Sequence, residues 1–305
     1  MATKPTLVEI EGKTLQLTNL DKVLWPEDGY TKGDMIRYYT EMAAVMIPHY
    51  QQRPLVLTRY PNGIHGKWFY QKNIPEGTPE WVHTHSVGHK EREIAYVIAD
   101  NLPTFAWLAN QGCIEMHPWL SRIGSLPLPD VVVIDLDPAE GATYEHVREV
   151  AFLVKRILDE FGLISFPKTS GSTGLHIYVP IDNVYSYYTV GEFVRYIGDL
   201  LVKVYPERVT NERLVKNRDG KVYVDYLQNR EGKTLAGVYS IRPHPGAPVS
   251  TPITWSEAET VYPRDFTIKT VPERVRSLGD LFSPTLQIKQ TLPQAWPRGE
   301  TTAKH

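Results

Sequence analysis

Val131-Val132-Val133-Ile134-Asp135-Leu136-Asp137-Pro138 is the stretch on which the fold turns. Four β-branched residues in a row predict a strand over Val131–Asp137, and Pro138 favours its end. Side chains alternate faces along a strand, so Asp135 and Asp137 project from one face at its C-terminal end. Two carboxylates so placed repel unless a cation lies between them. They form either a ligand set for Mg²⁺ or Mn²⁺, which prefer oxygen donors, or a strand-end turn with solvated aspartates.

Strands Leu175–Ile181 and Val222–Leu227 repeat the β-branched and aromatic pattern, and segments Leu55–Tyr60 and Ile94–Ile98 look like hairpin strands. Three helices alternate with them. Thr31 is placed to cap one that runs to about Met46 and ends at Pro48, and Thr143 to cap another ending before Gly162. A third starts near Thr189, with Glu192 completing a capping box, and its apolar face carries Phe193, Ile197, Leu200, Leu201 and Val204. The order of elements predicts a mixed α/β (α+β) protein with helices packed on sheets.

The second strand pair brings more chemistry. Asp225, on a face with Tyr223 and Leu227, is an acid in an apolar strand and needs a partner, either a metal or a basic side chain. Thr169-Ser170-Gly171-Ser172-Thr173-Gly174-Leu175-His176 reads as a hairpin turn or as a nest of backbone N–H groups for an anion. It is not a P-loop, because Gly174 is followed by a strand and not by Lys-Ser/Thr and a helix. Arg242, after a short strand, is a further anion candidate. A haloacid-dehalogenase site would ask for Thr or Val where Ala139 stands. His83, His85 and His89 lack the spacing of a zinc site, and Cys113 with a distant histidine makes an unpersuasive nucleophile.

Composition narrows the class. The 305 residues are 42% hydrophobic and 22% charged with a net charge of −2, as in an ordinary globular protein. One cysteine excludes an internal disulfide and points to a reducing compartment. No signal-like run or membrane-length apolar stretch occurs, so the expected location is the cytoplasm, with no membrane partner. With this charge, a polyanion must be met by a local patch. Met42 to Pro75 contains no Asp or Glu but holds Arg53, Arg59, Lys67 and Lys72 among Tyr50, Tyr60, Trp68, Phe69 and Tyr70. Such a segment either stacks on unpaired bases or is a strand pair with core aromatics and snorkelling cations. A catalytic domain is expected over residues 1–282, in one unit or two sub-modules, followed by a wrapping or frayed tail over 283–305 rich in proline.

Together these segments resemble the polymerase domain of the bacterial non-homologous end-joining enzyme DNA ligase D, a branch of the archaeo-eukaryotic primase superfamily. Seven segments occur in the same order: Leu-Thr-Asn-Leu-Asp-Lys-Val-Leu-Trp-Pro (17–26), Thr31-Lys32, Arg-Tyr-Pro-Asn-Gly (59–63), Asp-Leu-Asp-Pro (135–138), Thr-Ser-Gly-Ser-Thr-Gly-Leu-His (169–176), Val-Asp-Tyr-Leu-Gln-Asn (224–229) and Tyr-Ser-Ile-Arg-Pro (239–243). The resemblance implies a primase-polymerase fold in which Asp135, Asp137 and Asp225 hold two divalent ions, Mn²⁺ or Mg²⁺, and transfer a nucleotide from an NTP or dNTP to a primer 3′ end. It implies that Ser170, Ser172, His176, His117 and Arg242 bind that nucleotide, with Ser170 near the sugar 2′ position and a preference for ribonucleotides.

By the same likeness, Lys22, Lys32 and Asn19 form a pocket for the 5′-phosphate of a gap, and Phe69, Tyr70, Arg59 and Arg218 contact the template or other DNA. Three departures stand out. Thr173 replaces a lysine common in the family, Phe-Tyr replaces a Phe-Phe pair, and the ligase motif Lys-x-Asp-Gly does not occur in these residues. The expected setting is prokaryotic and nucleoid-associated: gap filling and end extension in double-strand-break repair, on DNA with gaps or 3′ overhangs, beside a separate DNA ligase and an end-binding protein such as Ku, with dimerisation across two ends. A primase, an excision-repair gap filler and a non-catalytic end-bridging module are the rivals.

Overall fold

The computed structural model describes residues 5–88, 92–294 and 296. Within them the chain opens with a hairpin, β1 (Thr6–Ile10) and β2 (Lys13–Leu17), and a short pair, β3 (Val23–Trp25) and β4 (Tyr30–Thr31), leading into helix α1 (Lys32–Tyr50). Strands β5 (Leu55–Arg59), β6 (Phe69–Gln71), β7 (Thr84–Gly88) and β8 (Glu93–Val97) follow, then α2 (Leu102–Asn110) and β9 (Cys113–Pro118). These strands form one sheet in which β5 lies between β6 and β9 and meets β8 at Leu55 and Val97.

The second sheet is built from β10 (Val131–Pro138), β11 (Phe166–Thr169), β12 (Leu175–Pro180), β13 (Val209–Thr210) and β14 (Val222–Asp225), with helices α3 (Tyr144–Glu160) and α4 (Tyr187–Val204) between strands. Its order is β11-β12-β10-β14-β13, antiparallel except for the β13–β14 pair. Two short helices, α5 (Val271–Leu278) and α6 (Pro284–Gln287), close the described chain. The expected mixed α/β architecture is the one observed.

Alternation along β10 sets the layers. Val132, Ile134 and Leu136 are buried against Val147, Val150, Ala151 and Val154 of α3 and Val190, Phe193 and Ile197 of α4. Each such side chain removed from water is worth about 1.5–3 kcal/mol. Asp135 and Asp137 must then face away from the helices, toward the first sheet. A separate core under α1 and α2 joins Met35, Tyr39, Leu57, Phe105 and Met116 to Ile241 and Val249.

Several sequence-based boundaries are corrected. α1 passes through Pro48 to Tyr50, because Gln51 N–H still bonds the Ile47 carbonyl at 2.8 Å and because Tyr50 is buried, its hydroxyl donating to the Val238 carbonyl. The cap of α4 is Ser186, whose Oγ accepts from Thr189 N–H at 3.1 Å, so the helix starts before Thr189 and Glu192 closes no capping box. Val204, expected inside, is exposed at the last turn. Trp296 and Leu292 are buried with the α3–α4 core, and Asp182 N–H donates to the Gln290 carbonyl at 3.0 Å. His89 and the end of the tail, residues 297–305, lie outside the described residues.

Candidate functional site

Register draws four chemically active side chains into one row across the second sheet. Lys168 on β11 is the cross-strand partner of His176 on β12, His176 of Asp135 on β10, and Asp135 of Asp225 on β14. β-Branched residues fix each strand and the antiparallel register fixes the row. Asp137 is two residues further along β10 on the same face.

The acids are crowded. Asp135 is buried and its Oδ1 makes no hydrogen bond, lying 3.4 Å from His176 Nε2. Burial, and then the charges of Asp137 and Asp225, raise Asp135 well above the usual carboxylate range, and burial with Asp225 raises Asp137. A buried carboxylate oxygen without a hydrogen bond, beside two more acids, fits a divalent cation. Among the described residues, no three His, Cys, Asp or Glu side chains converge into a closed metal cage. Asp225 explains part of that openness: its Oδ1 is turned to accept from Leu227 N–H at 2.9 Å and from Tyr223 O–H at 3.1 Å.

That turn corrects the sequence reading of β14. The strand stops at Asp225, which caps a 3₁₀ turn over Tyr226–Asn229, so Leu227 does not share its face in a continuing strand and Asp225 is half-buried. Asn229 at the end of the turn takes the place of the lost ladder. Its Oδ1 accepts from Val133 N–H at 3.0 Å and its Nδ2 donates to the Val133 carbonyl at 2.6 Å.

The Thr169–His176 segment is a hairpin connection between β11 and β12, as one of its two readings has it. Ser170 Oγ accepts from Gly174 N–H at 2.9 Å and Ser172 N–H at 3.1 Å, so two amides of the anticipated nest are spent inside the loop. Gly171 sits at φ +69°, and a Cβ there would meet Arg242 Cγ at 2.8 Å. Arg242 is no loose surface arginine. It donates from Nη1 to the Ser170 carbonyl at 2.7 Å and from Nε to Glu115 Oε1 at 2.7 Å. Ser172 Oγ is 2.8 Å from His244 Nε2.

Glu115 and His117 stand on β9, where they bring the first sheet to the site. Burial alone would raise the Glu115 carboxyl, but His117 and Arg242 outweigh it and hold it at about 2. His117 Nε2 lies 3.1 Å from Thr58 Oγ1 and 3.7 Å from Glu115 Oε2, and its Nδ1 is buried without a hydrogen bond. Local sequence gave no signal for Glu115, Lys168 or Asn229, since each acts on a partner from another element.

At the edge of this centre Phe69 and Tyr70 are exposed on β6. Arg59 lies 5.0 Å over the Phe69 ring, the Tyr70 ring is 6.3 Å from His117, and Tyr70 Oη is 3.0 Å from Thr234 Oγ1. Arg218 stacks at 3.7 Å on Tyr223. Trp68 and Lys67 are exposed too, whereas Tyr50, Tyr60 and Arg53 are buried. Arg53 donates to both oxygens of Asp130 at 2.7 Å. The acid-free segment is therefore half interior and half surface: the end of α1 and β5 are buried, while β6 and the residues just before it are exposed.

A pocket of about 260 Å³ lies beyond Phe69, lined by Asn19, Lys22, Lys32, Arg59, Asn62 and Asn110 among others. Lys32 donates to the Thr18 carbonyl at 2.7 Å and Thr18 Oγ1 at 3.1 Å, and Lys22 to Asn62 Oδ1 at 2.8 Å. Burial, then Lys22 and Arg59, depress Lys32 to about 8. Cations converging beside amide groups have the chemistry to receive an anion. The remaining candidates carry no chemistry here: His83 pairs with Asp100 at 2.6 Å, and burial raises the Cys113 thiol far above its normal range.

Residues 31–282 match the model of the LigD primase-polymerase domain. The chain is 36% identical over 267 residues to the bifunctional non-homologous end joining protein LigD of Bacillus subtilis, covering 87% of this chain and 43% of that protein. It is 35% identical over 272 residues to the multifunctional LigD of Mycolicibacterium smegmatis, covering 88% and 36%. The chain thus spans less than half the length of these relatives. The polymerase domain of Mycobacterium tuberculosis Ligase D, solved in complex with DNA, superposes with a TM-score of 0.85 at 34% identity, over 90% of this chain and 99% of that one. With six of the seven motif segments, from Thr31-Lys32 onward, falling inside residues 31–282, this chain belongs to the LigD primase-polymerase domain family.

Proposed function

We propose that this protein is a template-directed nucleotidyltransferase that fills gaps and extends ends during double-strand-break repair by non-homologous end joining. The observation that carries the reading is the Asp135–Asp137–Asp225 set, with one Asp135 oxygen buried and lacking a hydrogen bond. Divalent ions held by these carboxylates, Mn²⁺ in preference to Mg²⁺, would neutralise charge at the attacking 3′-hydroxyl and the leaving pyrophosphate.

The chain's own groups do the rest. Arg242, oriented by Glu115 and by the Ser170 carbonyl, presents its remaining N–H groups to triphosphate oxygens. Ser170, whose Oγ already accepts two backbone N–H groups, offers its hydroxyl proton to the sugar 2′-OH of a ribonucleotide, and Ser172, His176 and His117 complete the nucleotide pocket. Phe69 and Tyr70 stack on template bases, with Arg59 and Arg218 beside the DNA backbone. Lys22, Lys32 and Asn19 receive the downstream 5′-phosphate. A separate ligase and an end-binding protein such as Ku complete the join, with dimerisation holding two ends together.

Primer extension on a short gap tests this reading, with ribo- and deoxyribonucleotides compared in Mn²⁺ and in Mg²⁺, and with and without the downstream 5′-phosphate. Ribonucleotide addition stimulated by the phosphate is the expected result. DNA binding with no addition under any of these conditions would replace the polymerase with an end-bridging module.

A further inference from the structure

Trp68, just before β6, has no role in the transfer proposed above. With Phe69 and Tyr70 it forms an exposed aromatic run, 55%, 39% and 49% accessible, which is a patch and not a scattered surface ring. The indole is held in place. It stacks on Tyr60 with centroids 6.0 Å apart and planes 25° from parallel. Tyr60 is buried, so it backs one indole face, and the exposure leaves the opposite face open. Between the two rings the chain turns tightly: Gly63 N–H donates to the Tyr60 carbonyl at 3.1 Å, Gly66 N–H to the Gly63 carbonyl at 2.9 Å, and Ile64 N–H to the Leu24 carbonyl at 2.9 Å. A Cβ on Gly66 would meet the Asn62 carbonyl oxygen at 2.8 Å, so glycine is required for this close approach.

Alternation sorts the rings by face. Tyr70 is the cross-strand partner of Thr58, and both approach His117, the Tyr70 ring at 6.3 Å and Thr58 Oγ1 at 3.1 Å. Trp68 and Tyr60 lie two residues along from that pair and meet on the same face. Phe69 turns to the other face, where Arg59 covers it. Tyr60 also lines the pocket of Lys22 and Lys32, while burial and then the Glu115 charge raise its hydroxyl against the pull of Arg242. Trp68 thus stands between the cations assigned to the downstream phosphate and the side chains assigned to the incoming nucleotide.

We propose that the open face of Trp68 stacks on the unpaired template base that adjoins the downstream duplex in a gap, a contact separate from that of Phe69. The identity of this base rests on the polymerase reading, in which single-stranded template runs from the copied base to the downstream 5′-phosphate. Charge favours the same occupant. Lys67 is exposed beside the indole, Met42 to Pro75 contains no acid, and Glu27, from outside that segment, is paired with His65 at 2.5 Å. A flat ring flanked by cations suits a base on an anionic backbone, and a ring already fixed by Tyr60 loses little freedom on binding.

Fluorescence-anisotropy Kd values test it on a three-nucleotide gap with a downstream 5′-phosphate, the template intact or carrying one abasic site. An abasic site next to the downstream duplex should weaken wild-type binding about tenfold, Trp68→Ala should weaken binding to the intact gap about tenfold, and the two together should cost little more than either alone. An abasic site next to the primer end should cost both proteins equally. Trp68→Phe should restore most of the affinity and Trp68→Leu should not. A Trp68→Ala Kd within about twofold of wild type, a full abasic penalty retained in that variant, or equal rescue by Leu and Phe overturns the proposal. If Trp68→Ala does not fold, the Phe and Leu variants carry the same comparison. The cycle needs binding alone: if wild type binds the gap and adds no nucleotide, the polymerase reading fails while the cycle still judges Trp68. If wild type holds a gap no better than unbroken duplex, both fail.

Discussion

Asp135 and Asp225 are direct cross-strand partners on adjacent antiparallel strands, a pairing in which like charges destabilise a sheet. The protein keeps that repulsion at the centre of its second sheet, next to a third acid. Burial and these neighbours raise the folded-state pKa of Asp135 above its unfolded value. The stability linked to this group is therefore complete below the unfolded pKa and is lost as pH rises through the folded one. Without divalent ions, Asp135→Asn should be more stable than wild type at neutral pH, with a Tm higher by about 2 °C or more and a flatter pH dependence. Thermal melts from pH 4 to 8, with and without Mn²⁺, check this, and Mn²⁺ should raise the wild-type Tm far more than that of the variant.

The Lys32 ammonium is held at about 8 by burial and two neighbouring cations. The ability of the protein to distinguish a gap with a 5′-phosphate from one without it should thus be full below that pH. It should shrink as pH rises, by up to about tenfold per unit while Lys32 titrates. Fluorescence-anisotropy Kd values for both gaps between pH 6.5 and 9.5 measure it. Lys32→Ala should show weak discrimination at every pH.

Arg53 lies in the acid-free segment yet serves the interior. Its Nη2 donates to both Asp130 oxygens, one of which also accepts from Arg122 Nε at 2.9 Å, and the cluster is nearly dry. Arg53→Met leaves a buried carboxylate short of its main partner and should cost about 3–5 kcal/mol in denaturant unfolding. The gapped-DNA Kd of the folded fraction should stay as in the wild type.

Gly174 allows β12 to approach β10. A Cβ there would meet the Leu136 carbonyl at 2.2 Å and Asp137 Oδ1 at 3.3 Å. Gly174→Ala should destabilise the protein by roughly 1–3 kcal/mol and also lower extension, since the strand carrying His176 is pushed from the one carrying the acids. Urea melts and single-turnover extension on the same preparation separate the two effects.

What was legible in the chain was what neighbours in sequence decide. The β-branched run with Asp135 and Asp137 two apart fixed strand and face, and Thr31 did cap α1. Strand ends were less legible, because Asp225 stops β14 through its own side chain, which no residue pattern announces. Least legible were partners far apart along the chain: Arg242 with Glu115, Asn229 with Val133, and Lys168 with Ser250 meet only once the chain has folded. Lys168 and Glu115 read locally as an ordinary charged residue in a strand, and only burial reveals their work.

The central claim is that the acids paired across β10 and β14 drive nucleotide addition. Single-turnover extension of a gapped, 5′-phosphorylated substrate by wild type and by Asp135→Asn tests it most directly, with DNA affinity measured in parallel. The expected result is extension lowered by roughly a thousandfold, about 4 kcal/mol of transition-state stabilisation, at an unchanged DNA Kd. Equal extension rates in the two proteins would contradict the account.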